Sequence, residues 1–140
     1  EISVSSAGTF VDISGLSVAI TPSATSSKIL ILAFVNGSQN VGSAGGFFTL
    51  KRDSTEIFRG DAASSRQRAT GNLASYSNAY INGNTPVFLD SPSSTSELTY
   101  KVSVCSDGSN TTVYINRPSS NNDNASYIAG ASSIIAMEIA

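Results

Sequence analysis

Few side chains here can carry chemistry. Among 140 residues there is one cysteine, Cys105, and no histidine. Without imidazole neither a Ser-His-Asp nor a Cys-His arrangement can be built, and the commonest ligand of transition metals is missing. Cys105 closes the stretch Leu98-Thr-Tyr-Lys-Val-Ser-Val-Cys105, in which Leu98, Tyr100, Val102 and Val104 alternate onto one strand face. Cys105 therefore shares the other face with Thr99, Lys101 and Ser103. A catalytic thiolate needs a neighbouring base or cation, so in a chain without histidine this one reads as a structural cysteine. The ten acidic residues fall mostly in turns, as at Asp53, Asp61, Asp90, Asp107 and Asp123, where Asp serves backbone hydrogen bonding. No spacing among them sets two carboxyls across a cleft as glycoside hydrolysis requires. Asn121-Asn-Asp-Asn124 offers oxygen ligands but lacks the alternating Asp and terminal Glu of a dedicated calcium loop, and predicts a polar turn. The expectation is no catalytic site, no metal and no cofactor.

Binding has a better candidate than catalysis. Asp61 to Gly71 is a long loop carrying Arg66 and Arg68, and the segment after it sets Tyr76 and Tyr80 on one face with Ala74 and Asn78. Flat aromatic rings, guanidinium forks and amides are what a sugar surface needs: stacking against an apolar face plus fixed hydrogen bonds. The alternative is that the tyrosines face the core and the arginines make ordinary surface pairs.

The elements that must position these residues are strands. No window shows apolar residues at helical spacing between a cap and a glycine. Period-two segments instead recur every 8 to 15 residues between clusters of Gly, Ser, Asn, Asp and Pro. They predict strands at Thr9 to Ile13, Leu16 to Ile20, Lys28 to Val35, Phe47 to Arg52, Thr55 to Arg59, Leu73 to Ile81, Thr85 to Leu89, Leu98 to Ser106, Thr111 to Asn116 and Ser132 to Ile139. Asp53-Ser54 and Asn82-Gly83-Asn84 read as hairpin turns. These ten segments and the absence of a helical pattern imply one all-β domain of nine or so strands spanning residues 1–140, an antiparallel β-sandwich, jelly roll or barrel.

Two of these segments are apolar on both faces. Ile29, Ile31, Ala33 and Val35 back onto Leu30, Leu32 and Phe34, and Ile135, Met137 and Ile139 back onto Ile134 and Ala136. A strand of a monomeric antiparallel sandwich shows one solvated face, so something covers this one, either another copy of the chain or a loop. If the two strands pair with Lys28 opposite Glu138, then Leu30, Leu32 and Phe34 share a face with Ile134, Ala136 and Glu138, a row that belongs to the trimer interface or to the doubly buried strands, with either strand face open as the interface.

Charge narrows the partners. The net charge is −2 and the Lys and Arg residues are scattered, so no basic stripe faces a nucleic acid. The longest apolar run, Ile29 to Val35, is too short to span a bilayer, and no membrane insertion is expected. The chain opens on Glu1, as a fragment or processed product would.

Several segments resemble a module that ends structural proteins of tailed bacteriophages, particularly those of marine cyanobacterial phages. They are Ser27-Lys-Ile-Leu-Ile31, Thr49-Leu-Lys-Arg-Asp-Ser-Thr55, Gly60-Asp61, Phe88-Leu-Asp-Ser-Pro92, Thr99-Tyr-Lys-Val102, Val113-Tyr-Ile-Asn-Arg117 and Ala136-Met-Glu-Ile-Ala140. In order and spacing they cover nearly the whole chain. The resemblance implies a component of the extracellular virion surface, a fibre or spike tip built as a trimeric jelly roll similar to C1q and tumour-necrosis-factor modules. It implies no catalytic residues and carries over no receptor contacts. The expected function is host attachment through a surface polysaccharide. The alternative is a capsid decoration or purely architectural protein that binds other virion proteins.

Overall fold

The computed structural model describes residues 2–40, 45–75, 77–108 and 110–140. Among these there is no helix, and in chain order the strands are β1 (Ile2–Val4), β2 (Val11–Ile20), β3 (Lys28–Gln39), β4 (Gly46–Arg52), β5 (Thr55–Ile57), β6 (Gly71–Asn72), β7 (Asn82–Asn84), β8 (Val87–Asp90), β9 (Leu98–Ser106), β10 (Val113–Ile115) and β11 (Ser133–Ile139). They form two antiparallel sheets, the expected sandwich. In the first, β3 is the hub and pairs with β7, β8, β10 and β11, while β1 extends it beyond β10. The second runs β2-β9-β4, with β5 and β6 both paired to β4.

Alternation builds the core. Ile29, Ile31, Ala33 and Val35 of β3 turn inward and are at most 2% exposed. They meet Phe48 and Leu50 of β4 and Tyr100, Val102 and Val104 of β9, with Val113 and Ile115 of β10 closing one end. Each large apolar side chain buried this way contributes about 1.5–3 kcal/mol.

Several boundaries differ from the sequence reading. Thr9 to Ile13 and Leu16 to Ile20 are one strand: its ladder with β9 shifts register between Asp12 and Ser17, where Gly15 takes φ +80° and forms a bulge instead of a break. β3 runs on to Gln39, into the glycine-rich stretch. A Cβ at Gly37 would lie 2.8 Å from the Tyr114 carbonyl oxygen, so that glycine allows close packing within a strand and does not end it. The segment 73–81 is irregular in its described part. Ser75 Oγ donates to the carbonyls of Ser77 and Tyr80, local bonds that compete with a ladder. Asn82-Gly83-Asn84 is a strand paired with Val35 to Gly37, not a turn. Asp53-Ser54 does turn the β4–β5 hairpin, with Asp53 at φ +53°.

β3 and β11 are neighbours, but one residue out of the expected register. Ile139 opposes Lys28 and Glu138 opposes Ile29, so Lys28 and Glu138 point to opposite faces. The Glu138 carboxylate is instead held by Ser23, whose backbone N and Oγ donate to it at 2.7 and 2.6 Å. Because both strands are apolar on both faces, a one-residue slip leaves apolar rows on each side, and the apolar pattern alone does not fix the register.

Candidate functional site

The polar groups of the sandwich tie strands together. Asp90 on β8 belongs to the first sheet, whereas Arg52 and Tyr100 oppose each other on β4 and β9 of the second. Arg52 Nη1 and the Tyr100 hydroxyl both donate to Asp90 Oδ2 at 2.7 Å. Burial pushes the Tyr100 hydroxyl well above the usual tyrosine range, and the Asp90 carboxylate beside it adds to the shift. On the outside of the second sheet, Asp12 of β2 accepts from Lys51 of β4 at 2.8 Å and from Lys101 and Ser103 of β9 at 3.1 and 2.6 Å. Partial burial would raise its pKa, but these donors outweigh that and hold the carboxyl well below its ordinary value. Cys105 does share its strand face with Ser103, and it is fully buried. Burial, with Glu56 and Asp107 adding to it, pushes its thiol up to about 11, the reverse of an activated thiolate.

The residues expected to read a sugar are only partly gathered. Tyr76 lies outside the described residues. Arg66 is exposed, and Arg68 Nε folds back on its own loop to donate to the Gly60 carbonyl at 2.6 Å. Tyr80 is 61% exposed, so it does not face the core. Its loop is tied elsewhere: Ser120 N donates to the Asn78 carbonyl at 3.0 Å, and Ser119 Oγ lies 3.1 Å from Asn78 Oδ1. Among the described residues no hydrogen bond joins the arginine loop to the tyrosine loop.

The first sheet carries the most distinctive surface. Register puts Leu30 of β3 between Leu89 of β8 and Met137 of β11, and Leu32 between Val87 and Ile135. Phe34 and Ile139 extend the same outward face. Phe34, Val87, Leu89, Ile135, Met137 and Ile139 are each 41–53% exposed. The face is three strands wide and has no charge at its centre. Six large apolar side chains thus stand exposed side by side, and the largest apolar patch of a soluble protein is often functional. Of the six residues expected on one interface row, Leu30, Leu32 and Phe34 lie on this face. Ile134, Ala136 and Glu138 turn to the opposite side, across from Ala33, Ile31 and Ile29.

A loop does cover this sheet, but only over its polar half. Beyond Phe34 the outward residues of β3 are Asn36 and Ser38, both buried. Asn36 N donates to Ser132 Oγ at 2.9 Å, and its carbonyl accepts from Asn116 N at 3.0 Å, so β10 and β11 lie end to end along one edge of β3. Ser38 Oγ donates to the Arg117 carbonyl at 3.0 Å. Segment 116–132 thus roofs Asn36 and Ser38 and stops short of Phe34, which is exposed, and of Leu30 and Leu32, which are half-buried between their neighbours on β8 and β11. Sequence reasoning missed Val87 and Leu89, although their alternation with Phe88 was visible.

No protein-family model matches the chain, and no curated protein matches it significantly.

Proposed function

We propose that this domain is a non-enzymatic structural module of a phage virion appendage that assembles as a homotrimer and presents its loops to a glycan on the host surface. The observation that carries the reading is the bare apolar face of β8, β3 and β11. The chain covers the polar half of that sheet with its own loop and leaves the apolar half open, which is the arrangement expected where further copies supply the cover. The trimeric number and the virion setting rest on the resemblance of Ser27-Lys-Ile-Leu-Ile31 and its companion segments. A jelly-roll winding is supported by the chain order, since β2, β3, β4, β6, β7, β8 and β9 carry the chain back and forth between the two sheets.

Fluorescently labelled domain is expected to stain susceptible bacteria without releasing reducing ends from their surface polysaccharide. Cells that stay unstained while antibody to the domain labels the capsid would replace host attachment with the decoration reading. Released reducing ends would overturn the non-enzymatic assignment.

A further inference from the structure

The loop that roofs Asn36 and Ser38 also encloses a depression of about 210 Å³, lined by Arg117, Pro118, Asn121 to Asn124 and Tyr127 to Ala129. That is below the roughly 300–1,000 Å³ of pockets that bury a drug-sized ligand, and suits one small ring. Its walls are braced from within. Arg117 stacks on the Tyr114 ring, 3.9 Å from guanidinium carbon to centroid, and donates to the Pro118 and Ser119 carbonyls at 3.0 and 3.4 Å. Asn124 Oδ1 accepts from Ser126 N, and its carbonyl from Tyr127 N, both at 2.9 Å, closing a turn that sets Tyr127 on the wall. By contrast the side chains of Asn121, Asn122 and Asp123 are exposed and make no hydrogen bond with the described residues. The result is a rigid frame bearing uncommitted amides beside a half-buried aromatic ring. The frame lowers the ordering cost of binding, the amides can donate to and accept from hydroxyls, and the ring offers a stacking face.

We propose that this depression is a saccharide subsite for a single neutral hexose-type ring. The proposal rests on the glycan-binding reading above and moves its centre from the Arg66 and Arg68 loop to the 117–129 loop. Neutrality follows from charge: Asp123 stands at the rim, and the one cation in the wall, Arg117, already faces Tyr114 and two carbonyls, so a sugar carboxylate meets repulsion without a dedicated partner.

The test is saturation-transfer NMR on the full chain with millimolar glucose, galactose, mannose, N-acetylglucosamine and glucuronate. At least one neutral sugar is expected to receive saturation and glucuronate none. Asn122→Ala and Tyr127→Ala should each weaken the response roughly three- to tenfold. Asn122 is exposed, so its variant must keep the parent melting temperature and remains informative even if Tyr127→Ala unfolds. No response from any neutral sugar, or a response that survives Asn122→Ala, overturns the subsite, and a stronger response from glucuronate overturns its neutrality. Staining of host cells separates the two levels. Cells stained equally by parent and Asn122→Ala domain sink the subsite but keep the glycan reading, and unstained cells together with no sugar response sink both.

Discussion

Asp90 is where the two sheets are joined by charge as well as by packing. Its Oδ2 accepts from Arg52 and from Tyr100 at 2.7 Å, and it is buried. Removing the tyrosine hydroxyl leaves a buried carboxylate with one donor fewer, so Tyr100→Phe should lower stability by about 1–2 kcal/mol in urea titration. A variant as stable as the parent would mean the tie contributes nothing. The same groups set the pH range. The Tyr100 hydroxyl is shifted upward, so its contribution is complete below the ordinary tyrosine value of 10.0 and is lost as pH rises beyond it. Asp12 and Glu138 are shifted downward, Asp12 by donors that outweigh its partial burial and Glu138 chiefly by the hydroxyls of Ser23 and Ser27. Their contributions are complete above the ordinary carboxylate values of 3.8 and 4.5 and are lost as pH falls below them. Melting temperature should therefore be flat from about pH 5 to 9 and fall at both ends, with Ser23→Ala reducing the acid-side loss. A steady slope across that plateau in calorimetry would contradict these assignments.

At the scale of elements, the register of β11 on β3 decides which apolar row faces outward. Because Glu138 opposes Ile29 and is held by Ser23, Glu138→Lys should lower the melting temperature, and adding Lys28→Glu should recover nothing. The double variant should melt where the two single changes together put it, since the side chains lie on opposite faces and share no partner. Recovery would restore the register in which Lys28 opposes Glu138. The limits of sequence reading have physical causes here. β9 was legible end to end because Leu98, Tyr100, Val102 and Val104 alternate against polar neighbours for its whole length. The β3–β11 register was not, because strands apolar on both faces keep apolar rows after a slip. Gly83 reads as a turn and the expected strand stops at Val35, short of Gly37, whereas both glycines sit in strands. Leu30, Leu32 and Phe34 were recognisable as one apolar row from β3 alone, but their neighbours Val87, Leu89, Ile135 and Met137 needed the pairing. The depression behind Tyr127 depends on a turn closed by Asn124 and on a guanidinium laid over Tyr114, contacts that no local pattern in Asn121 to Asn124 announces.

The molecule as a whole is a sandwich with one sheet half roofed. Segment 116–132 satisfies the polar end of β3 at Asn36 and Ser38, and the apolar end keeps Phe34, Ile135 and Met137 exposed. A monomer in water would hold this face open against the hydrophobic effect, whereas copies packed on it would remove it from solvent and leave the 117–129 loop beside the seam. A charge placed at its centre should separate the copies and spare the fold, because Ile135 and Leu89 point away from the core. Sedimentation equilibrium of the unaltered domain at micromolar concentration tests this most directly. Three times the chain mass is expected, falling to the single-chain mass in Ile135→Asp and Leu89→Asp at a near-parent melting temperature. A dimer would contradict the trimeric number. A single-chain mass for the unaltered domain at every concentration, or a trimer that both substitutions leave intact, would contradict assembly through this face.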